Sequence, residues 1–341
     1  MKYIKVAKHI AEKTKRALIN NGLLSRDYPV FSDKSYVSFP VISKELPSGL
    51  KFEIIEIQTE KKRVLELREL LKDKLTKEEL EILPRGFDTV GSIAIIELAE
   101  QLKPKSKLIG KAILKLHKNI KTVVSKASER YGEYRLQKYE HLAGESTFET
   151  IHRENNIVLK IDIQKTYFSS RLANERLRIA KQVKPGEKVL VMFSGTGPYC
   201  FVIAKNSEAA KVVGVELNPE AHSYSIINKN INKLDNVELI LGDVISIIPK
   251  LNEKFDRIVM PLPKIGESFL SCAFSAAKQN AVIHYYAFES ENTYPDATID
   301  KIKREAAKKN LKIKVLHAVI CGSYAPRVYR ICIDFKLLFS R

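Results

Sequence analysis

The sequence predicts a Rossmann-like α/β protein with a seven-stranded sheet, preceded by two smaller α+β segments. Three observations predict it. Residues 188 to 219, KVLVMFSGTGPYCFVIAKNSEAAKVVGVELNP, read as a buried strand, a glycine turn, a helix and a second buried strand ending on an acid. Apolar, β-rich runs then alternate with helical stretches as far as residue 287. Two further β-rich runs, at Lys312 to Ile320 and Val328 to Leu337, flank the turn Tyr324-Ala325-Pro326 and depart from the usual dinucleotide fold.

Lys188 to Phe193 is the first of these strands, and Ser194-Gly195-Thr196-Gly197 lets the backbone turn tightly and approach a ligand at a helix N-terminus. Val212 to Leu217 follows, with Glu216 near its carboxyl end, where a carboxylate can accept both hydroxyls of a ribose. Alone, a Gly-x-Gly turn is as often a device of the fold. Here Val237 to Leu241 is followed by Gly242-Asp243, and Phe255 to Met260 by Pro261-Leu262-Pro263. Four strands thus end in a turn or an acid at the edge where parallel sheets bind ligands, which points to a nucleoside cofactor.

The runs MFSGTGPY, GVELNPEA, GDV and FDRIVMPLPK resemble the class I methyltransferases that use S-adenosylmethionine. Within that group they are similar to the tRNA (guanine-37) N1-methyltransferases of archaea and eukaryotes, over nearly the whole chain. The resemblance implies that Glu216 binds the cofactor ribose and Asp243 its adenine side, with Phe193, Gly195, Thr196, Gly197 and Pro261 completing the cofactor site. It implies tRNA as substrate, its anticodon stem and loop seated by the parts before the methyltransferase domain and its outer corner met by the N-terminal module.

Methyl transfer to N1 of guanine needs a base to remove the lactam proton and a cation or donor to hold charge at O6. The resemblance places the O6-stabilising arginine at Arg135, in GEYRLQKYEHLAGE, and the base at Glu175, in YFSSRLANER, with Tyr167 holding the target base. Each has a plainer reading: a phosphate contact for Arg135, a surface carboxylate pairing Arg171 or Arg178 for Glu175, a core aromatic for Tyr167. Two positions depart from the family pattern. Val191 replaces an Asp before the glycine loop, and Pro261 an Asn after the fourth strand, so the loop backbone must bind more of the cofactor and Leu262-Pro263 must shape the base pocket. Pro261 also resembles the archaeal branch that methylates a carbon of 4-demethylwyosine at the same tRNA position. Two alternatives stand: an aminocarboxypropyl transferase of the wyosine pathway, and an RNA-binding protein with a vestigial fold.

The chain has 341 residues and divides, on this reading, into an N-terminal module (1–60), a helical linker (61–84), an RNA-binding α+β segment (85–160) and the methyltransferase domain (161–341). The first module begins with a helix-like run through Leu18 and Ile19, then β-rich pieces at Tyr36 to Ile42 and Phe52 to Ile57, with turns at Phe39-Pro40 and Pro47-Ser48-Gly49. The linker carries Leu65, Leu67, Leu70, Leu71 and Leu75 as far as Leu83-Pro84. Lysine and arginine number 58 against 40 acids, a net charge of +18 that favours a polyanion, although a lysine-rich surface bias is the bland reading. Residues 101 to 128 hold eight lysines and no acid, with Lys111, Lys115 and Lys118 on one face of a helix expected over Ile109 to Ile120, either a phosphate-binding patch or a solvated face. The four cysteines and seven histidines are scattered, so no metal site is expected. With no apolar run near ~20 residues and a charged start, we expect a cytoplasmic protein without membrane span or signal peptide, monomeric by default.

Overall fold

The computed structural model describes residues 1–25, 27–42, 52–59, 66–264 and 266–339. The turn expected at Pro47-Ser48-Gly49 and the start of the helical linker, Leu65 included, lie outside these residues. The chain divides into two compact units, Met1–Glu69 and Leu70–Arg341.

In the first unit β1 (Lys2–Ala7) leads into α1 (Lys8–Asn20), and β2 (Phe31–Ser32), β3 (Tyr36–Pro40) and β4 (Glu53–Glu56) complete an antiparallel sheet in the order β2-β3-β1-β4. Ile4, Val6, Ala11, Leu18, Phe39 and Val41 form its core. Two expectations change. The opening run is a strand as far as Ala7, because aromatic and β-branched Tyr3, Ile4 and Val6 pack best from a strand with partners on both sides. Phe39-Pro40 closes β3 instead of turning: Pro40 pairs with Tyr3 at the strand's end, where its carbonyl still accepts from the Ser25 N–H.

The expected continuous linker helix is broken into α2 (Leu67–Leu71) and α3 (Lys77–Glu81). Thr76 causes the restart: its hydroxyl accepts from the Glu79 N–H while the Glu79 carboxylate accepts from the Thr76 N–H, a capping box. Next, β5 (Asp88–Val90), β6 (Ile93–Ile96), β7 (Thr122–Lys126) and β8 (Tyr139–Gly144) form a sheet in that order, and α4 (Ser106–Leu116) connects parallel β6 and β7. Helix α4 lies so close to β8 that a Cβ on Gly110 would meet Leu142 Cβ at 2.8 Å. The helix ends at Leu116, four residues before the expected Ile120, because His117 turns extended; Lys118 therefore sits in the following turn.

A hairpin of β9 (Glu149–Glu154) and β10 (Ile157–Asp162), closed by left-handed Asn155 and Asn156, leads into α5 (Ala173–Ala180). Then come β11 (Lys188–Met192), α6 (Pro198–Asn206), β12 (Lys211–Glu216), α7 (Pro219–Asn232), β13 (Val237–Leu241), α8 (Val244–Ile247), β14 (Phe255–Met260), α9 (Leu270–Ala276), β15 (Ala277–Ser290), α10 (Asp296–Ala307), β16 (Leu311–Ala325) and β17 (Val328–Phe339). The expected seven strands form one sheet, ordered β13-β12-β11-β14-β15-β17-β16, parallel except where β17 runs against both neighbours. Both faces are covered. Val189 and Val191 of β11 enter one core with α5 and α6, while Leu190 and Met192 enter the other with α9 and α10. The hairpin is held by amides of α7: Asn228 and Asn232 each accept from and donate to the backbone of β10, at Lys160 and Val158.

Candidate active site

The strand order reverses between β11 and β14, and a doubly wound sheet opens its ligand crevice at the carboxyl ends of such a pair. The glycine loop lies there. Phe193, Gly195 and Gly197 all have left-handed backbones, at φ 59°, 59° and 89°. A Cβ at Gly197 would fall 2.3 Å from the Phe201 ring, so only glycine fits, whereas one at Gly195 would meet nothing nearer than the Tyr167 carbonyl oxygen at 3.8 Å. Phe193 is a bulky residue in a conformation few such residues adopt, held by edge contact with Phe269 at 4.9 Å.

Glu216, at the end of β12, accepts the Gly195 N–H at Oε2 (2.6 Å) and the Asn218 N–H at Oε1 (2.8 Å). Burial pushes its carboxyl up, with these backbone donors opposing. Two backbone bonds leave lone pairs for two sugar hydroxyls. Asp243 caps α8 by accepting the Ile245 N–H at 3.0 Å and remains half-buried beyond β13. The hydroxyls of Ser194 and Thr196 are buried with no partner among the described residues. Orphaned hydroxyls in a left-handed glycine loop, beside a half-buried carboxylate, fit an adenosyl cofactor. Val191, before the glycine loop, is fully buried in β11 and offers no charge. Pro261, Leu262 and Pro263 follow β14, each half-buried, with the Leu262 N–H donating to the Met260 carbonyl at 2.8 Å.

Tyr167 and Arg135 come together although far apart in sequence. Arg135 sits at φ 55° in the loop between β7 and β8, and its guanidinium carbon lies 5.4 Å from the Tyr167 ring centroid. Two residues the sequence analysis missed join them. Arg130 stands over the same ring at 4.4 Å, and Arg330 of β17 donates from Nη2 to the phenol oxygen at 3.4 Å. Burial alone would push the Tyr167 phenol up; Arg330, Arg130 and Arg135 outweigh it and hold the group below the usual tyrosine range. Among the described residues no carboxylate lies within ion-pair distance of these three arginines. Beside this cluster a groove of about 770 Å³ runs from Tyr131 and Tyr134 past Lys138 and Lys165 to Asn218 at the glycine-loop side.

Glu175 has the pairing that was its plainer reading. It accepts both Nε and Nη2 of Arg178 (2.7 and 2.8 Å), accepts the Tyr286 hydroxyl at 2.5 Å, and is buried. Arg171 turns away to Asp88. Arg178 continues to Asp334 (2.5 Å), Asp334 to His284 Nδ1 (2.6 Å), and His284 Nε2 to Arg257 (2.7 Å), which ends on Glu187 (2.8 Å). Because arginine only donates, Nε2 accepts and Nδ1 carries the proton, so His284 is neutral. His284, Cys332 and Asp334 bring ligand-type atoms within 4.8 Å of one another, but Asp334 and His284 are already engaged by two guanidiniums, which oppose a cation there.

Of the eight lysines in 101 to 128, Lys103, Lys105, Lys121 and Lys126 pair with acids outside that stretch. Lys107, Lys111, Lys115 and Lys118 are exposed without a carboxylate among the described residues, the first three on α4 and Lys118 just beyond it.

Residues 150–316 match the TRM5/TYW2 methyltransferase domain, residues 67–147 the TYW2 N-terminal domain, and residues 4–46 the tRNA methyltransferase 5 N-terminal domain. The chain is 40% identical over 338 residues to the tRNA (guanine(37)-N(1))-methyltransferase Trm5b of Pyrococcus abyssi, covering 98% of this chain and 99% of that one. The crystal structure of wild-type Trm5b from that organism superposes with a TM-score of 0.75 at 39% identity, over 99% of this chain and 100% of its own. The tRNA (guanine(37)-N(1))/4-demethylwyosine(37)-methyltransferase Taw22 of Nanoarchaeum equitans is 33% identical over 74% of this chain and 100% of its own. A tRNA(Phe) (4-demethylwyosine(37)-C(7)) aminocarboxypropyltransferase of Pyrococcus horikoshii is 30% identical over 80% of this chain and 97% of its own. Agreement in fold and along the length of these relatives has one consequence: the chain belongs to the TRM5/TYW2 methyltransferase family.

Proposed function

We infer that this protein is a tRNA (guanine(37)-N1)-methyltransferase, using S-adenosylmethionine to methylate N1 of G37 in the anticodon loop. The observation that carries the reading is Arg135, unpaired and half-buried against Tyr167, whose carbonyl adjoins the glycine loop. Bound S-adenosylmethionine supplies an electrophilic methyl group on a sulfonium. Glu216 and Asp243 hold its adenosine part, and the loop from Phe193 to Gly197, with Pro261, encloses the rest.

The chain's own residues do what the substrate needs. Arg135 donates to O6 as charge moves there, and Tyr167 supports the base. Glu175 takes the N1 proton. Arg178 and Tyr286 fix the orientation of its carboxylate. An unpaired loop base presents its Watson–Crick edge without the cost of opening a duplex. Lys111, Lys115 and Lys118 contact phosphates and anchor the anticodon stem, while the N-terminal unit meets the outer corner. All these groups lie on one chain, so a monomer suffices for the reading.

Pro261-Leu262-Pro263 favours a second substrate. With no side-chain amide at 261 the segment after β14 is apolar, which suits the tricyclic 4-demethylwyosine as well as guanine. Arg135, Tyr167 and Glu175 together favour methyl transfer over transfer of the aminocarboxypropyl group. The test is transfer of labelled methyl from S-adenosylmethionine to tRNA carrying G37, A37 or 4-demethylwyosine-37, with nucleoside analysis. N1-methylguanosine from G37 and nothing from A37 supports the reading; bound tRNA with no label in any product overturns it. Label on 4-demethylwyosine decides the second activity.

A further inference from the structure

Aromatic rings and a guanidinium continue outward from Tyr167 along the end of the sheet. Arg330 touches the Tyr167 hydroxyl on one side and lies over the Phe288 ring of β15 on the other, 5.5 Å from its centroid. Phe288 in turn stacks on Tyr324, near the tip of the β16–β17 hairpin, with centroids 3.9 Å apart and planes tilted by 24°. Tyr324 is 50% exposed. The Arg330 Nε is buried yet bonds to nothing among the described residues.

A stacked pair of rings with its outer face in water, beside a guanidinium that no acid neutralises, serves the folded state poorly. Both groups still have capacity: the free face of Tyr324 for a flat π-system, the remaining N–H groups of Arg330 for an anion. A single-stranded nucleic acid supplies both at the right spacing, because successive bases are joined through a phosphodiester. If one base enters the Tyr167 cluster, the phosphate leading to its neighbour must leave past Arg330, the side chain between Tyr167 and Phe288.

We propose that Tyr324, backed by Phe288, is the stacking platform for the anticodon-loop base adjoining the methylated one, and that Arg330 holds the phosphate between the two nucleotides. The proposal rests on the methyltransferase reading above. Stacking accepts any base, so the platform adds affinity and orientation without sequence choice.

The test uses the full-length protein and full-length tRNA carrying G37. Methylation of G37 by the wild type comes first, and its failure would count against the function itself, not the platform. With that in hand, Tyr324→Ala should raise KM about tenfold, the scale of one base–aromatic stack, with kcat within twofold. Tyr324→Phe should behave as wild type and Tyr324→Leu as the alanine variant, all with unchanged affinity for S-adenosylmethionine. Arg330→Gln should lower the salt dependence of RNA binding by about one phosphate contact. Making position 36 or position 38 abasic should, at one of the two, render Tyr324→Ala silent and so identify the stacked nucleotide. A wild-type KM for Tyr324→Ala, full rescue by leucine, or a KM effect that persists with each flanking position abasic would overturn the platform.

Discussion

Two sets of charges in the second unit are built on opposite plans. In the strip Glu175–Arg178–Asp334–His284–Arg257–Glu187 every group is engaged by the next, and Asp334 and His284 are fully buried. Around Tyr167, three arginines gather with no acid within ion-pair distance among the described residues. A buried charge survives only when its partners repay desolvation, so the first set has its partners inside the protein. Cations left together without an acid repel one another, and what repays them comes from outside. On the proposed reading the strip belongs to the fold and the cluster to the substrate; Glu175 stands at the end of the strip.

The largest expected effect attacks the strip. Arg178→Met leaves Asp334 buried opposite one fewer cation and should destabilise the protein by about 3–5 kcal/mol in urea unfolding; a loss under about 1 kcal/mol would show that the strip is not a paired unit. Next comes the cluster. Arg135→Ala should cost about 100-fold in kcat, as removal of a transition-state donor does, with the urea midpoint unmoved. An equal loss of stability would place Arg135 among the structural charges. Third, Lys111→Gln, Lys115→Gln and Lys118→Gln combined should weaken RNA binding and flatten the slope of log K against log salt by about two, at ~0.7–0.9 per phosphate contact; binding unchanged at low salt would return the patch to a solvated face.

The smallest effect is on pH. Burial pulls the His284 imidazole down more than Asp334 holds it up. As pH falls, the unfolded chain takes up this proton before the folded one does, so stability present above about 6.5 declines below it. Burial pushes the Asp334 carboxyl up, but His284 and Arg178 outweigh it and leave it far below the carboxylate range, so its share is lost only in more acidic solution, below about 4. His284→Gln, which can still accept from Arg257 and donate to Asp334, should flatten the decline between pH 6.5 and 5. An unaltered profile would remove His284 as its cause.

The seven strands, the glycine loop and Glu216 were legible because their signals are local: apolar runs of strand length, glycines where the backbone turns left-handed, an acid at a strand's end. The lysine patch was legible as charge without acid, although only half of its lysines stay unpaired once acids from elsewhere arrive. Pairings across the chain were not legible. Arg178 and Asp334 are 156 residues apart, and nothing in RLRIAKQ says that its partner lies in the last strand. Arg330 and Phe288 escaped for the same reason. One sign was present: Arg257 in FDRIVM, His284 in VIHYY and Asp334 in VYRICIDF are polar residues inside buried runs, and each must find a partner there. The short β1 and the break between α2 and α3 were missed where a strand's two neighbours and one capping threonine outweighed a helical pattern.

The most direct measurement is the single-turnover rate of methyl transfer to G37 tRNA, at saturating RNA, for the wild type, Arg135→Ala and the triple lysine variant side by side. N1-methylguanosine should form in the wild type, about 100-fold more slowly in Arg135→Ala, and at an unchanged rate in the lysine variant once enough RNA is supplied. An Arg135→Ala rate equal to that of the wild type would contradict the assignment of the unpaired arginine cluster to the reacting base.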